Sequence, residues 1–331
     1  ETTGYIDLED SFRFENLIVD EAHYIKNPEA RRSRNVRNIA DHAKRILFMT
    51  GTALENRVNE MIELISILQP QIAYEVDGME YLSSAPEFRE KVAPVYYRRK
   101  REEVLTELPQ LIENKEWLDM NPVEKEAYYN AVMSDNMQAP RRVSWNVANI
   151  ADSSKAKRLK EIVDEATDDG RKVIVFSYFL DTIKKVKLVL GDKCVDHING
   201  AVSPQRRQEI IDEFNKSGAG AVLPAQIQAG GTGLNIQSAS VVIICEPQFK
   251  PSIENQAISR AYRMGQTRNV LVYRLLCEDS IDEQMMKMLN KKQNIFNEFA
   301  DKSSAKDTNE INEETFNNMM KVEYERVKNL V

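Results

Sequence analysis

The feature that most constrains the fold is an alternation of short apolar runs with segments of helical periodicity between residues 153 and 300. The runs have the length of strands and fall at 172–177, 193–197, 221–227, 241–245 and 269–276. The helical segments fall at 155–166, 180–190, 204–215, 253–263 and, beginning after Ser280, to about 299. Strands that alternate with helices predict a parallel sheet covered on both faces. We therefore expect residues 151–300 to form a complete α/β domain.

A shorter pattern of the same kind lies near the N-terminus. Its predicted strands and helices are, in order, 17–19, 28–42, 45–49 and 56–70. A strand, helix and strand in sequence form the right-handed parallel unit, and short apolar runs of this kind predict buried strands. A whole α/β domain needs more strands, so residues 1–70 are predicted to be the C-terminal part of one.

Two adjacent carboxylates, Asp20 and Glu21, directly follow the first predicted strand. In open α/β sheets ligands bind just outside the carboxyl ends of the strands. Aspartate there suits Mg²⁺ on a nucleotide, because the ion takes one or two carboxylates together with phosphate oxygens. Glutamate beside it suits the orientation of a water that attacks a γ-phosphate. The alternative is a strand that ends in solvated acids, and these two residues alone do not decide.

The other segments are less regular. Residues 71–150 are rich in Glu, Arg, Tyr and Met and are predicted to be a helical insertion and linker, with helices near 85–92 and 122–137. Residues 301–331 are predicted to be a polar tail with a short helix near 316–327. The chain does not begin with Met, and we expect it to be a piece of a longer protein.

Composition excludes several classes of site. Three widely spaced cysteines lack metal-ligand spacing and indicate a reducing intracellular setting. Three histidines argue against a histidine-based triad or zinc site. The net charge of −7 argues against a generally basic nucleic-acid coat, although basic clusters occur at 31–34, 98–101 and 141–142. Each cluster alone is typical of a solvated face.

Three further stretches could carry chemistry. Thr50-Gly51-Thr52 follows the second predicted strand, and glycines at 230–233 can aim backbone N–H groups at phosphate. Arg260 and Arg263 lie three residues apart on one predicted helical face. Their planar guanidinium groups match the charge of a transferring phosphoryl group. Taken singly, these stretches also fit ordinary turns and surface arginines.

In this order, the stretches resemble the motifs of the DEAH-box ATPases of helicase superfamily 2, and more narrowly its SWI/SNF-type DNA translocases, over about residues 17–292. Residues 19–28 look like that branch's nucleotide-box strand and following turn. The segments 97–101, 108–109, 199–200, 207–208 and 214–215 resemble its lobe-linking segment and a second-lobe motif. Arg260 with Arg263-Met264-Gly265-Gln266 distinguishes it from DEAD-box RNA helicases, which end that motif differently.

The resemblance implies two RecA-like lobes with parallel sheets, the first truncated and the second complete, with a helical insertion between them. It implies ATP and Mg²⁺ as cofactors and double-stranded DNA as partner, with DNA-bound proteins as the objects displaced. The catalytic residues it implies are Glu21, Arg260 and Arg263. Nucleotide binding is implied for Asp20 (which would hold Mg²⁺ through water), His23, Gly231, Gly233 and Gln256. Coupling of hydrolysis to movement is implied for Thr50, Gly51, Thr52 and Asn235, and DNA binding for Ser177, Arg207, Thr232, Arg98 and Arg99.

The chain departs from that pattern in three places. Residues 224–228 replace the usual approach to the glycines, and Lys100 stands where threonine is common. No glycine is followed by lysine, so the chain has no G-x-x-x-x-G-K-[ST] phosphate loop. We therefore expect a portion of an ATPase core that does not hydrolyse ATP by itself. A non-catalytic binding module and an RNA-directed helicase are the alternatives. The expected location is the nucleus in a eukaryote and the cytoplasm, in association with the nucleoid, in a bacterium.

Overall fold

The structure is a computed structural model that describes residues 12–50, 58–79, 86–97, 108–134, 136–230, 236–301 and 313–330. The chain divides into two compact units. The first comprises Glu1–Lys100 with Gln293–Glu310, and the second comprises Arg101–Lys292 with Ile311–Val331.

The first unit contains two parallel strands, β1 (Phe14–Val19) and β2 (Ala43–Phe48), which are connected through helix α1 (Arg31–Ala40). Val19 is paired with Phe48, so both strands end at the same edge. The predicted strand–helix–strand order is confirmed. It brings the residues that follow each strand side by side.

The strands of the first unit are less buried than the sequence predicts. Ile18 is 60% exposed and Leu47 is 52% exposed, and neither strand contains a fully buried residue. Within the described part of this unit the sheet has two strands, and one of its faces has no covering layer. The prediction of buried strands at 17–19 and 45–49 is therefore wrong for this structure.

Three short helices form a separate core in the first unit. They are α2 (Val58–Leu68), α3 (Pro70–Val76) and α4 (Pro86–Val92), and their contacts are made by Met61, Ile65, Val76, Phe88 and Val92. Pro70 ends α2 as predicted and also begins α3, because proline lacks an N–H and its fixed φ suits the first helical turn. The cap predicted at Asn56 lies outside the described residues.

A five-stranded parallel sheet organises the second unit, in the order β3–β7–β6–β4–β5. Its strands are β3 (Leu111–Leu118), β4 (Lys172–Ser177), β5 (Val222–Gln226), β6 (Ala239–Ile244) and β7 (Val270–Cys277). The central strands are buried on both faces, with their alternate side chains in two different hydrophobic cores. This arrangement confirms the predicted parallel α/β class.

The helices after residue 120 are close to the predicted positions. They are α5 (Pro122–Val132), α6 (Ser154–Asp168), α7 (Leu180–Leu190), α8 (Pro204–Lys216), the single turn α9 (Ile227–Gly230), α10 (Pro251–Ile258), α11 (Ile281–Asp301) and α12 (Glu313–Lys328). The helix predicted at 253–263 ends at Ile258, and turns follow it. The strand predicted at 193–197 makes only two isolated bridges with β5, at Cys194 and Ile198.

Strand β3 is the main element that the sequence does not predict, because it lies in the segment expected to be helical. It is the edge strand of the second sheet and is paired along its whole length with β7, from Leu111 opposite Val270 to Leu118 opposite Cys277. An edge strand is covered incompletely and carries charged side chains. Those charges interrupt the apolar run that reveals an inner strand.

The C-terminal helix α12 is packed on α5 in the second unit, and its position confirms the helix predicted near 316–327. The Tyr128 hydroxyl donates to Glu323 Oε1 over 2.6 Å and accepts from the N–H of Ile281 over 2.8 Å. One buried phenol therefore joins α5, α12 and the start of α11. No helix in the described ranges has the length and apolar character needed to cross a membrane.

Candidate functional site

The first part of the site is built where β1 and β2 end. The N–H of Met49 donates to Val19 O over 2.9 Å, and the N–H of Ala22 donates to Met49 O over 3.0 Å. These bonds continue the pairing of the two strands past their ends. They hold Asp20 and Glu21 beside Thr50, as the parallel arrangement predicts.

Glu21 has an unusual backbone conformation. Its φ of 50° and ψ of 46° lie in the left-handed region, which costs a non-glycine residue about 1–3 kcal/mol. Such strained residues cluster at functional sites, although Ser144 and Asp279 also have a positive φ. Asp20 is exposed, and its Oδ1 accepts a hydrogen bond from the Glu21 N–H over 2.8 Å. A short 3₁₀ helix, Ala22–Ile25, begins immediately afterwards. The turn therefore holds both carboxylates at the carboxyl edge of the strands.

His23 brings three of the predicted residues together. Its Nδ1 lies 3.2 Å from Thr50 Oγ1 and 3.3 Å from Glu21 Oε2. The second distance is that of an ion pair when the imidazole is protonated. Glu21 Oε2 is nevertheless buried without a hydrogen bond among the described residues. A buried carboxylate oxygen in this state can accept a hydrogen bond from a water or ligand, which fits the predicted role at a nucleotide.

Eight predicted site residues lie outside the described ranges. They are Gly51, Thr52, Arg98, Arg99, Gly231, Thr232, Gly233 and Asn235. Their roles stay predictions.

In the second unit, the arginine segment follows α10. Gln256 lies in α10, Arg260 and Arg263 lie in the turns after it, and all three are half-buried. Arg260 O accepts a hydrogen bond from the N–H of Ile236 over 3.2 Å. Ile236 is the first described residue after the glycine-rich segment in the sequence, and this bond joins it to the arginine segment through the backbone.

Gln266 holds the arginine segment against the sheet. It is 7% exposed, and its Nε2 donates to Ala239 O over 2.9 Å and to Gln237 O and Ala261 O over 3.1 Å each. Its Oε1 accepts from the N–H of Arg268 over 3.0 Å. In the sequence analysis, Gln266 is used only to distinguish SWI/SNF-type translocases from DEAD-box RNA helicases. The structure shows that it fixes the loop that carries Arg263.

Gly265 completes the same loop. Its φ of +90° is strained for residues with a side chain, and a Cβ there would lie 3.2 Å from Gln237 Oε1. The Gln237 amide donates in turn to Met264 O over 2.5 Å. The Gly265-Gln266 pair is therefore explained by backbone geometry and close packing.

Ser177, for which DNA binding is predicted, lies at the end of a central strand of the second sheet. It is fully buried at the end of β4, and its hydroxyl lies 3.0 Å from both carboxylate oxygens of Glu246. The N–H of Tyr178 also donates to Glu246. Ser177 therefore satisfies a buried acid, because the end of a central strand is covered in this fold. Arg207 is half-buried on α8.

Glu246 is a charged residue that the sequence reading misses. It lies two residues beyond the end of β6 and is 1% exposed. Burial raises its pKa to about 7, although the Tyr178 N–H, the cations Arg141 and Lys155 and the Ser177 hydroxyl all act to lower it. The signal that could have identified it is the one that marks Asp20, an apolar run followed by a carboxylate.

Arg141 lies near this acid, inside the protein and away from solvent. It is 1% exposed, and its guanidinium lies 5.0, 5.2 and 4.1 Å from the ring centres of Tyr178, Phe179 and Phe249. Cations are attracted to the faces of aromatic rings. The interpretation of residues 141–142 as a solvated face is therefore wrong for Arg141.

A buried ion pair lies near the ends of β6 and β7. Lys155 Nζ is 2.7 Å from Asp282 Oδ2 and 3.2 Å from Cys245 O, and both side chains are fully buried. Asp282 Oδ2 also accepts from the N–H of Cys277 over 3.0 Å. The pair joins α6, the end of β6 and the start of α11. In the part of the chain that the structure covers, no group of three or more His, Cys, Asp or Glu side chains could hold a metal.

Two family models match the chain. The SNF2-related domain matches residues 5–174, just over half of the 331 residues, and the helicase conserved C-terminal domain matches residues 154–265. The fold agrees with a crystal structure described as the C-terminal part of the Fun30 ATPase domain. That likeness has a TM-score of 0.53 at 18% identity and covers 66% of this chain and 99% of the other.

Curated relatives match over most of the chain. An uncharacterized ATP-dependent helicase of Mycoplasma pneumoniae is 27% identical over 90% of this chain, and the match covers 31% of that protein. Protein CHROMATIN REMODELING 4 of Arabidopsis thaliana is 28% identical over 88% of this chain, and the match covers 15% of that protein. The chain thus spans less than a third of the length of these two relatives.

Proposed function

Because the chain belongs to the SNF2-related family, we propose that it is part of an ATP-dependent translocase that moves on double-stranded DNA and remodels or displaces protein–DNA complexes. The observation that carries this proposal is the turn after β1. There a strained Glu21, His23 and Thr50 lie in contact beside an exposed Asp20. Turns of this kind at the carboxyl edge of parallel strands bind ligands in α/β proteins.

In this proposal the first unit supplies the groups that act on ATP. Asp20 holds Mg²⁺ through water, and that ion, when bound, neutralises phosphate charge. Glu21 orients the attacking water and accepts its proton, which its unsatisfied Oε2 supports. His23 lies between Glu21 and Thr50, so a change at the carboxylate is transmitted to Thr50, the residue before Gly51 and Thr52 in the sequence.

The second unit supplies cations for the same step. Arg260 and Arg263 act as arginine fingers that stabilise negative charge on the transferring phosphoryl group, and Gln256 contacts the nucleotide from α10. The hydrogen bond between Arg260 O and the Ile236 N–H supports coupling of the arginine segment to the glycine-rich turn. Gly231, Gly233 and Asn235 belong to that coupling.

The residues that we propose to contact DNA are Arg98, Arg99, Arg207 and Thr232. For Ser177 we propose a structural role instead of a DNA contact. Its buried hydroxyl orients the loop after β4 through Glu246. The location that fits a DNA substrate is the nucleus in a eukaryote or the nucleoid in a bacterium.

We propose further that the 331-residue chain alone does not hydrolyse ATP, because no glycine in it is followed by lysine. The test is phosphate release by this chain and by a longer form of the protein that contains a G-x-x-x-x-G-K-[ST] loop, each with duplex DNA, single-stranded DNA or RNA. We expect release only from the longer form, and most with duplex DNA. Release by the 331-residue chain would contradict the claim of inactivity. Stimulation by RNA alone would favour an RNA-directed helicase, and no release from either form would favour a binding module.

A further inference from the structure

Helix α1 carries an unusual concentration of positive charge. Its ten residues include four arginines, two asparagines and no carboxylate, in a chain where Asp and Glu outnumber Lys and Arg by 52 to 45. Arg37 is paired with Glu63 of α2. Arg31, Arg32 and Arg34 are exposed, and among the described residues the structure shows no carboxylate within ion-pair distance of them. We call these three residues, with Tyr24, the arginine surface.

This placement of charge does not favour folding. Arg31, Arg32 and Arg34 lie in the first turns of the helix, where the backbone dipole is positive and cations are unfavourable. Arg31 and Arg34 are also neighbours at a spacing of three, at which like charges repel. The preceding Ala30 gives no side-chain cap. An anionic ligand would relieve each of these unfavourable terms.

Tyr24 connects the arginine surface to the carboxylate turn. Its side chain is 54% exposed, and the Arg32 guanidinium lies 5.4 Å from its ring centre. The Tyr24 ring lies 4.3 Å from the ring of His23, which contacts Glu21. The arginine surface therefore adjoins the turn proposed to act on ATP, within the same unit.

We propose that the arginine surface binds the phosphate backbone of double-stranded DNA, as a contact separate from those at Arg98, Arg99, Arg207 and Thr232. Guanidinium groups bind phosphate oxygens through paired N–H donors. Three exposed arginines on the outer surface of one helix suit a long polyanion better than a single phosphate. This inference rests on the proposed function, because it takes DNA as the polyanion.

The test is binding of a fluorescent duplex DNA to the 331-residue chain at several salt concentrations. The variant is Arg31→Gln with Arg32→Gln and Arg34→Gln. The matched control is Lys125→Gln with Lys157→Gln and Lys160→Gln, which removes the same charge from exposed positions of the second unit. We expect the arginine variant to lose at least tenfold in affinity. Its slope of log K against log salt should fall by about 2–3, since each phosphate contact contributes roughly 0.9.

A second variant separates charge from geometry and guards against misfolding. Arg31→Lys with Arg32→Lys and Arg34→Lys keeps the net charge, so it should retain most of the salt slope while binding more weakly. The proposal is overturned if the glutamine variant binds DNA like the control. It is also overturned if polyglutamate binds the chain as tightly as DNA and loses binding in the same variant. If the unaltered chain does not bind duplex DNA at all, the proposed function fails together with this inference.

Discussion

The hydroxyl of Ser177 lies 3.0 Å from each carboxylate oxygen of Glu246, and this contact joins the ends of β4 and β6 inside the protein. Arg141 contacts residues of the same loops and is enclosed by aromatic rings. The carboxyl edge of the second sheet therefore contains buried charge. Buried charges are costly unless they are well paired. Substitutions at such charges are therefore expected to change the free energy of unfolding by several kcal/mol.

Glu246 should make stability depend on pH. Its pKa is raised to about 7 in the folded chain by burial, against 4.5 for an ordinary glutamate. The folded state therefore holds this proton more tightly, and the group's contribution to stability is lost as pH rises from about 4.5 to about 7. In the unaltered chain the free energy of unfolding should fall by on the order of 3 kcal/mol over that range because of this group. Glu246→Gln has no carboxyl group to titrate, so this part of the pH dependence should disappear. Urea unfolding at pH 5 and pH 8 measures it, with exposed Glu209→Gln as control; equal pH dependence in both variants would contradict this assignment.

The Lys155–Asp282 pair should be far more sensitive than surface pairs. Lys155→Met leaves a fully buried carboxylate without its cation, which typically costs about 3–5 kcal/mol. Adding Asp282→Asn should restore part of the loss, because the amide oxygen can still accept from the Cys277 N–H. Lys287→Met at the exposed pair with Glu283 should cost less than about 1 kcal/mol. If urea unfolding shows that Lys155→Met and Lys287→Met lose similar amounts of unfolding free energy, the greater sensitivity of the buried pair is contradicted.

The sequence predicts those strands and helices whose hydrophobic periodicity is not interrupted by charged residues. Residues 172–177 and 180–190 have the periods of a buried strand and an amphipathic helix, and the structure contains both with those bounds. Strand β3 is not predicted, since Glu113 and Lys115 on this edge strand interrupt its apolar run.

The burial of individual charges is harder to predict than the elements that carry them. Arg141 is buried because Tyr178, Phe179 and Phe249 surround it, and these rings come from distant parts of the sequence. No local pattern contains that information. Asp20 and Glu21 could be located in advance because the end of a strand is a local feature, but the left-handed backbone of Glu21 could not.

Gln266 should be essential for the order of the arginine segment. In Gln266→Glu the carboxylate can no longer donate to the carbonyls of Gln237, Ala239 and Ala261, so buried acceptors lose their donor. We expect a loss of about 1–3 kcal/mol in urea unfolding. Hydrogen exchange over residues 259–268 should rise well above the level of the unaltered chain. The exposed Gln71→Glu provides a control of identical chemistry, and unchanged exchange in Gln266→Glu would show that the loop is held otherwise.

Arg260→Ala should slow ATP hydrolysis in a longer form of the protein that contains a phosphate loop. An arginine that stabilises the transferring phosphoryl group contributes about 10³–10⁵ in rate, so the loss in kcat should be of that order. Arg268→Ala is the control, because that side chain donates to Asp169 O and Gly170 O at the end of α6. A near-normal rate for Arg260→Ala would remove it from the proposed step.

Glu21→Gln should separate ATP binding from ATP turnover in the same longer protein. The amide keeps the size of the side chain and its place in the strained turn, but it cannot accept the proton of the attacking water. We therefore expect turnover to fall to background while binding of a fluorescent ATP analogue changes little. Glu15→Gln, an exposed residue of β1 that is paired with Lys44, is the matched control. Turnover close to normal in Glu21→Gln would show that the turn after β1 has another purpose. Loss of both binding and turnover would mean that Glu21 maintains the shape of the turn, because the buried Oε2 would then be needed for folding rather than for the water.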